Sequence, residues 1–169
     1  MKKNLIIALL AALLIVCMAA PSLAEVKLGQ VQYAAHGTKC FAVMTVAMDG
    51  DKIVAAYIDE YQFMGEGSIG VPNSESDFGT AYPEGKVLVS KRVNNDAYSA
   101  NMAKAGSTVM LADNYAAIEA FVAGKTVAEL EAAVAGKDAA AMVDAVSGCT
   151  LVDTLGYVNG LIEAAKAAK

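Results

Sequence analysis

The chain has 169 residues, of which 13 are basic and 18 are acidic, so its formal net charge is −5. This balance argues against nucleic acid as a partner, because no basic stripe is left to neutralise phosphates. It also disfavours docking on anionic lipid surfaces. Outside the apolar N-terminal segment two cysteines remain, Cys40 and Cys149, which are too few for a disulfide scaffold. The sequence does not show whether these two pair. Once an N-terminal targeting segment is set aside, the remaining length fits one domain with a core of its own.

The first 24 residues are predicted to be a secretory signal peptide. Two lysines precede an apolar run over residues 5–18, and Ser22 and Ala24 are the small residues before the predicted cleavage site. The run is short for a bilayer span. A lipid anchor on Cys17 is the alternative, although the bulky residue before that cysteine departs from lipoprotein signals. We therefore expect residues 25–169 to fold outside the cytoplasm, as a secreted, periplasmic or cell-surface domain.

The N-terminal half is predicted to form an antiparallel sheet. Residues 26–28, 40–46 and 52–58 are rich in strand-forming residues, and the Asp-Gly-Asp sequence at 49–51 is typical of a hairpin turn. Residues 86–89 are predicted to add one more strand.

Glycine, serine and proline are frequent between residues 65 and 85, which predicts a long loop. Loops of this length in compact domains often cover a site or bind a partner.

The C-terminal half is predicted to be helical. One helix is expected over residues 114–123, a second begins with a capping box at Thr126 and Glu129, and a third covers residues 138–146. A terminal amphipathic helix is indicated by apolar residues at spacings of three and four, namely Leu151, Leu155, Val158, Leu161, Ile162 and Ala165. Strands first and helices later indicate a single α+β domain in which the sheet packs against the helices.

The stretch from Asp144 to Thr150 reads Asp-Ala-Val-Ser-Gly-Cys-Thr and interrupts the alanine-rich helical tail. One interpretation is a connector between two helices, with Gly148 as a C-cap and Thr150 or Asp153 as an N-cap. Another is a site for a phosphate ester. Gly148 lacks a Cβ that would block close approach, and a helix beginning at Thr150 would present free backbone N–H groups to a phosphate.

These residues resemble the attachment site of covalent FMN-binding domains, found in peripheral subunits of bacterial sodium-pumping and Rnf-type electron-transport complexes and in related secreted proteins. That family carries Asp, two residues, Ser or Thr, Gly, Ala, then Ser or Thr, which matches Asp144, Ser147, Gly148 and Thr150. Cys149 stands where the family usually has alanine, and its small side chain is expected to be tolerated. Further similarity to the secreted members extends over residues 50–53, 85–93, 98–102, 124–127 and 144–157.

The resemblance implies that a flavin transferase joins the phosphate of FMN to the hydroxyl of Thr150. It implies a role for Asp144 in recognition by the transferase or in metal-assisted transfer. The expected function is electron transfer outside the cytoplasm with redox partner proteins at the membrane, as an electron carrier rather than a self-contained enzyme. The alternatives are a non-catalytic module that binds a ligand or a flavin without a covalent bond, and an enzyme that uses Cys149 or Cys40 as a nucleophile.

Several other side chains have two interpretations. His36 is the only histidine, which does not indicate a metal site, and we expect it to be a surface or hydrogen-bonded residue rather than a flavin contact. Tyr61 and Phe63 could stack on a flavin ring, although packing within the sheet is the preferred interpretation. Lys91 and Arg92 could neutralise a phosphate, although adjacent basic residues favour a solvated edge.

Overall fold

The computed structural model describes residues 25–37, 39–74 and 79–169. The predicted signal peptide and the alternative lipid anchor at Cys17 lie outside the described residues. Within the described ranges, four strands are followed by five α-helices, with a short 3-10 helix at Gly79–Ala81 before the last strand. The prediction of a single α+β domain with an N-terminal antiparallel sheet and C-terminal helices is confirmed. Among the described residues, every helix is too short or too polar to cross a bilayer.

The sheet is a meander in which each strand pairs with the next one along the chain. Its order is β1-β2-β3-β4, and all pairs are antiparallel. Gly50 turns the β2–β3 hairpin with a φ of 60°, as the sequence predicts. β1 and β3 run further than predicted because their pairing with β2 and β4 continues past the apolar segments. The strands are β1 (Lys27–Tyr33), β2 (Cys40–Asp49), β3 (Lys52–Gly65) and β4 (Lys86–Ser90).

Five α-helices follow β4, and two of them begin with a side-chain cap, at Thr126 and Asp138. The predicted capping box is confirmed: the backbone N–H of Glu129 donates to the Thr126 hydroxyl oxygen over 3.2 Å, and the Glu129 carboxylate accepts from the Thr126 N–H over 2.8 Å. The helices are α1 (Asn95–Lys104), α2 (Leu111–Val122), α3 (Val127–Val134), α4 (Ala139–Ala145) and α5 (Thr154–Lys166).

The core lies between one face of the sheet and the helices. Every second residue of β2 is buried there, whereas Phe41 at an intervening position is exposed. α5 packs on β1 and β2, and α2 packs on β3. The predicted apolar stripe of α5 is buried at Val158, Leu161, Ile162 and Ala165, while Leu151 and Leu155 are half-buried. The helices therefore leave the opposite face of the sheet uncovered.

Candidate functional site

A cavity of about 400 Å³ opens between α1, the segment that connects α1 to α2, and the chain leading into α5. Its apolar wall includes Tyr98, Met102 and Leu111, and its polar groups include Glu60 and Tyr157. This volume lies within the range of small-molecule binding sites, which are mostly apolar with a few convergent polar groups. The described part of the 65–85 loop does not line this cavity.

Thr150 is exposed and lines the same cavity. Its backbone N–H donates to Asn114 Oδ1 over 2.6 Å, and its hydroxyl lies 3.3 Å from the same oxygen. The prediction that the terminal helix begins at Thr150 is wrong, because α5 begins at Thr154. The N–H of Thr150 is therefore bound to a side chain, and free N–H groups of a helix end are not present at this residue.

The other residues of the predicted attachment site lie outside the cavity wall. Asp144, Ser147 and Gly148 are exposed, while Cys149 is buried with its Sγ 3.1 Å from the Thr154 hydroxyl. Gly148 has a φ of 85°, a conformation that favours glycine in the turn after α4. The stretch is thus a connector between helices, as one interpretation predicts, and its last hydroxyl reaches the cavity.

His36 and Asp153 are hydrogen-bonded to each other at the cavity wall. Asp153 occupies the N-cap position of α5, but its carboxylate makes no capping bond and contacts the imidazole of His36 instead. The interpretation of His36 as a hydrogen-bonded surface residue is confirmed. The pair joins the segment after β1 to the start of α5.

A buried charge centre, composed of Glu60, Lys91, Tyr115 and Tyr157, lies beside the cavity. Lys91 Nζ is 2.5 Å from Glu60 Oε2, and the two side chains are 1% and 0% exposed. The hydroxyls of Tyr157 and Tyr115 lie 3.0 and 3.3 Å from the same carboxylate oxygen. Glu60 and Tyr157 line the cavity, so the centre connects the cavity to the protein interior.

The prediction of a solvated edge at Lys91 and Arg92 is wrong. The Lys91 backbone N–H donates to the Glu60 carbonyl over 2.8 Å, which fixes the lysine beside Glu60 as β4 ends. Arg92 binds Glu119 over 2.5 Å and lies over the ring of Tyr57 at 4.5 Å. Both cations are therefore paired with carboxylates within the fold and are not available to an external phosphate.

The buried charge centre holds its protons strongly. Burial favours the neutral amine of Lys91, but the ion pair with Glu60 outweighs this effect and raises the pKa of Lys91. Burial, together with the nearby Glu60 carboxylate, raises the pKa of Tyr115. Burial also raises the pKa of Tyr157, with Tyr115 and Glu60 acting in the same direction. The two tyrosines are therefore neutral hydrogen-bond donors to a carboxylate whose charge Lys91 balances.

The aromatic residues singled out in the sequence lie away from the cavity wall. Tyr61 stacks on Phe41 with a centroid distance of 5.7 Å, and Phe63 meets Tyr82 edge-to-face at 5.2 Å. The aromatic side chains of the cavity are Tyr98 and Tyr157 instead. The sequence carried them only as members of longer segments with family similarity.

The two cysteines of the described chain are both free thiols. Cys40 Sγ lies 3.0 Å from the carbonyl of His36 and 3.5 Å from Glu60 Oε1. Burial and the Glu60 charge raise the pKa of the Cys40 thiol. A thiol held in its protonated form is a poor nucleophile.

Comparison with known proteins identifies no matching protein family, no similar curated protein and no similar solved structure. The function must therefore be argued from the stretch Asp144 to Thr150 and from the cavity that its last residue lines.

Proposed function

We propose that this protein is an exported flavoprotein that carries FMN joined by a phosphoester to Thr150 and transfers electrons outside the cytoplasm. The observation that supports it most directly is the exposed Thr150 hydroxyl on the wall of a mostly apolar cavity. An exposed hydroxyl is accessible to a flavin transferase, and the adjoining cavity offers the tethered ring a dry surface. When bound, FMN supplies the electron uptake and release, while the protein fixes its position and surroundings.

The residues of the cavity fit a planar ring with apolar faces and polar edges. Tyr98, Met102 and Leu111 supply flat or flexible apolar surface, which favours contact with an aromatic system. Glu60 and Tyr157 supply polar atoms at the same wall. The cavity volume of about 400 Å³ is sufficient for a small cofactor.

The residues that line the cavity offer no unpaired basic side chain to a phosphate, so the phosphate of FMN is better placed on the solvent side of Thr150. His36 is the basic side chain among the residues that line the cavity, and it is already paired with Asp153. Asp144 is exposed, so its charge acts on the phosphate largely through water, where screening weakens like-charge repulsion. We therefore assign the phosphate to the exposed rim and the ring to the cavity.

Two members of the buried charge centre, Glu60 and Tyr157, form part of the cavity wall. Tyr157 keeps its proton and donates to Glu60, while Lys91 balances the Glu60 charge. Because the Glu60–Lys91 pair is neutral as a unit, it adds no net charge beside a bound cofactor.

The enzyme alternative is disfavoured by the surroundings of both thiols. Cys149 is buried against the Thr154 hydroxyl, and the raised pKa of Cys40 keeps its thiol protonated. A nucleophilic cysteine requires an accessible thiolate and an activating base. We therefore assign no catalytic residue, and the proposed partners are a flavin transferase and redox proteins at the membrane.

Replacing the attachment threonine tests the proposal directly. The protein is coexpressed with a flavin transferase, and intact mass spectrometry is expected to detect one added FMN on the wild type and none on Thr150→Ala. Thr108→Ala is the matched control, because Thr108 is another exposed threonine on the same cavity wall, and it should be modified like the wild type. An unmodified wild type, or a modified Thr150→Ala protein, would contradict the proposal.

A second candidate is a binding module that holds a flavin or another small ligand without a covalent bond. The cavity supports it independently of Thr150, because its apolar wall is complete without a tether. Titration of unmodified protein with riboflavin separates the two. This second candidate is favoured if the wild type stays unmodified after exposure to the transferase and still quenches the fluorescence of riboflavin.

A further inference from the structure

Asn114 contacts the proposed attachment residue through its side-chain oxygen, and its side-chain nitrogen is bound elsewhere in the fold. The side chain is fully buried in the first turn of α2. Its Nδ2 donates to the carbonyls of Val109 and Met110 over 3.2 and 2.9 Å. Its Oδ1 accepts from the N–H of Thr150 and lies within reach of the Thr150 hydroxyl. A side-chain amide offers two donors and two acceptor sites, and all four are occupied.

The orientation of the Asn114 amide follows from its partners. Turning it over would place an N–H against the N–H of Thr150 and an oxygen against the carbonyls of Val109 and Met110. Only the observed orientation satisfies all of these groups. The hydroxyl of Thr150 must accordingly donate to Oδ1, because that oxygen has no hydrogen to give.

We propose that Asn114 is the positioning residue of the attachment site: it holds the backbone of Thr150 and turns its hydroxyl proton inward, so that the oxygen lone pairs face outward. This inference rests on the proposed function at Thr150. The two residues are 36 positions apart in the chain, so the contact ties the loop before α5 to the start of α2. A transferase then meets a fixed hydroxyl rather than a mobile loop, which lowers the entropy lost on engagement.

Part of the contact between Asn114 and Thr150 persists after the attachment reaction. In the transfer, the O–H bond of Thr150 breaks and an O–P bond forms, while the P–O–P linkage of a flavin dinucleotide donor breaks. The released nucleotide or the solvent takes the hydroxyl proton. The esterified oxygen then has no proton for Asn114, but the backbone N–H of Thr150 still donates to Oδ1. The hydrogen bond from the Thr150 hydroxyl is thus lost on attachment, whereas the bond from the Thr150 N–H continues to hold the backbone.

Asn95 provides a control that shares the structural part of this role. Its Oδ1 accepts from the backbone N–H of Ala112 over 2.9 Å, in the same first turn of α2. It makes no contact with Thr150. Asn95→Ala therefore weakens the start of α2 without releasing the attachment residue, whereas Asn114→Ala does both.

The first experiment compares attachment kinetics on purified full-length proteins with a flavin transferase, followed by intact mass. Losing the two contacts with Thr150 is expected to lower kcat/KM for Asn114→Ala about tenfold, while Asn95→Ala stays within about twofold of the wild type. Asn114→Asp keeps an acceptor for the Thr150 N–H, but its second oxygen faces the carbonyls of Val109 and Met110, so only a partial recovery of the rate is expected. Attachment to Asn114→Ala at the wild-type rate or faster overturns the inference, whereas a wild type that is never modified overturns the proposed function instead.

The second experiment needs neither transferase nor flavin. Backbone amide exchange, followed by NMR on the unmodified protein, should find the Thr150 N–H protected in the wild type and in Asn95→Ala. Fast exchange of the Thr150 amide proton in the wild type would overturn the inference even if the Asn114 variants fail to fold. Exchange in Asn114→Ala is expected to be at least about fivefold faster, as one lost hydrogen bond implies.

Discussion

Lys91 and Glu60 are charged side chains withdrawn from water, with exposed fractions of 1% and 0%. Withdrawing two ions costs several kcal/mol each, and their mutual attraction offsets this only with good geometry and further hydrogen bonds. The hydroxyls of Tyr115 and Tyr157 supply those bonds to the Glu60 carboxylate. Apolar residues of similar volume often stabilise a core equally well. We therefore connect this ion pair with the cavity that Glu60 lines rather than with stability alone.

Lys91→Met leaves the Glu60 carboxylate buried without its counter-charge. We expect the free energy of unfolding to fall by about 3–5 kcal/mol, as is typical when one partner of a buried pair is removed. Urea denaturation followed by circular dichroism measures the loss. The double variant Lys91→Met with Glu60→Gln removes the unpaired charge and should recover part of the stability. A loss below about 1 kcal/mol in the single variant would show that water reaches Glu60.

The surroundings of single polar residues were the least predictable part of the site. Adjacent basic residues usually remain solvated, and nothing near Lys91 in the sequence indicates that Glu60 lies across the β3–β4 pair. Asn114 has the same difficulty, since its partners at Thr150 come from a distant segment. Thr150 was singled out only because its neighbours in the chain resemble the attachment pattern of covalent FMN-binding domains.

At the level of elements, the contact between α5 and β1 depends on Gly29. A Cβ built on Gly29 would lie 1.9 Å from the backbone carbonyl oxygen of Ala164 in α5. The backbones of the strand and the helix therefore approach each other more closely than any side chain at residue 29 permits. α5 also supplies Val158 and Leu161 to the core, so its distance from the sheet determines how well the whole core packs.

Gly29→Ala should force α5 away from β1. We expect a loss of about 1–3 kcal/mol or more, because the clash is with backbone atoms that have no alternative rotamer. Thermal unfolding measures the effect. Gly65→Ala is the matched control at a strand end, where an added Cβ meets nothing within 4 Å, and it should change stability by less than about 0.5 kcal/mol. Equal stability of the two variants would contradict the proposed contact.

Elements set by local signals were predictable, and those set by distant partners were not. The hairpin at Gly50 and the capping box at Thr126 depend on neighbouring residues, and both were predicted correctly. The start of α5 was misplaced at Thr150. Its N–H is bound by Asn114 and the helix begins only at Thr154, a competition that periodicity within one segment does not reveal.

At the scale of the whole molecule, the fold retains protons that the unfolded chain releases in alkali. The pKa values of Tyr115 and Tyr157 are raised from an ordinary value near 10, and that of Lys91 is raised from 10.5. Above these ordinary values the folded state binds more protons than the unfolded state. By linkage, stability must then fall as the pH rises.

We expect the free energy of unfolding to be nearly constant from pH 7 to 8, to begin to decrease near pH 9 because the pKa of Cys40 is raised, and to decrease more steeply above about pH 10. Each tyrosine that stays protonated contributes a slope of about 1.4 kcal/mol per pH unit. Urea midpoints between pH 7 and 11.5 measure the slope. Tyr157→Phe removes one titrating group and should give a shallower decrease than the wild type. Identical slopes would mean that Tyr157 ionises in the folded protein as it does in water.

The fold class was predictable from the order of strand and helix signals along the chain, because that order alone distinguishes α+β from alternating architectures. The cavity was not. Its walls come from β3, α1 and the segment before α5, and their mutual distances depend on the packing of α5 and α2 against the sheet. The sequence therefore indicated Thr150 as the proposed attachment residue, but it did not indicate the cavity beside that residue.

Helix α5 packs on β1 and β2, and this contact determines when the core can form during synthesis. Leu161 and Ile162 of α5 complete a core whose other half, in β2, emerges more than a hundred residues earlier. A chain whose α5 is still inside the ribosome lacks the helix that covers this face of the sheet. The hydrophobic core can therefore be completed only after α5 has been released.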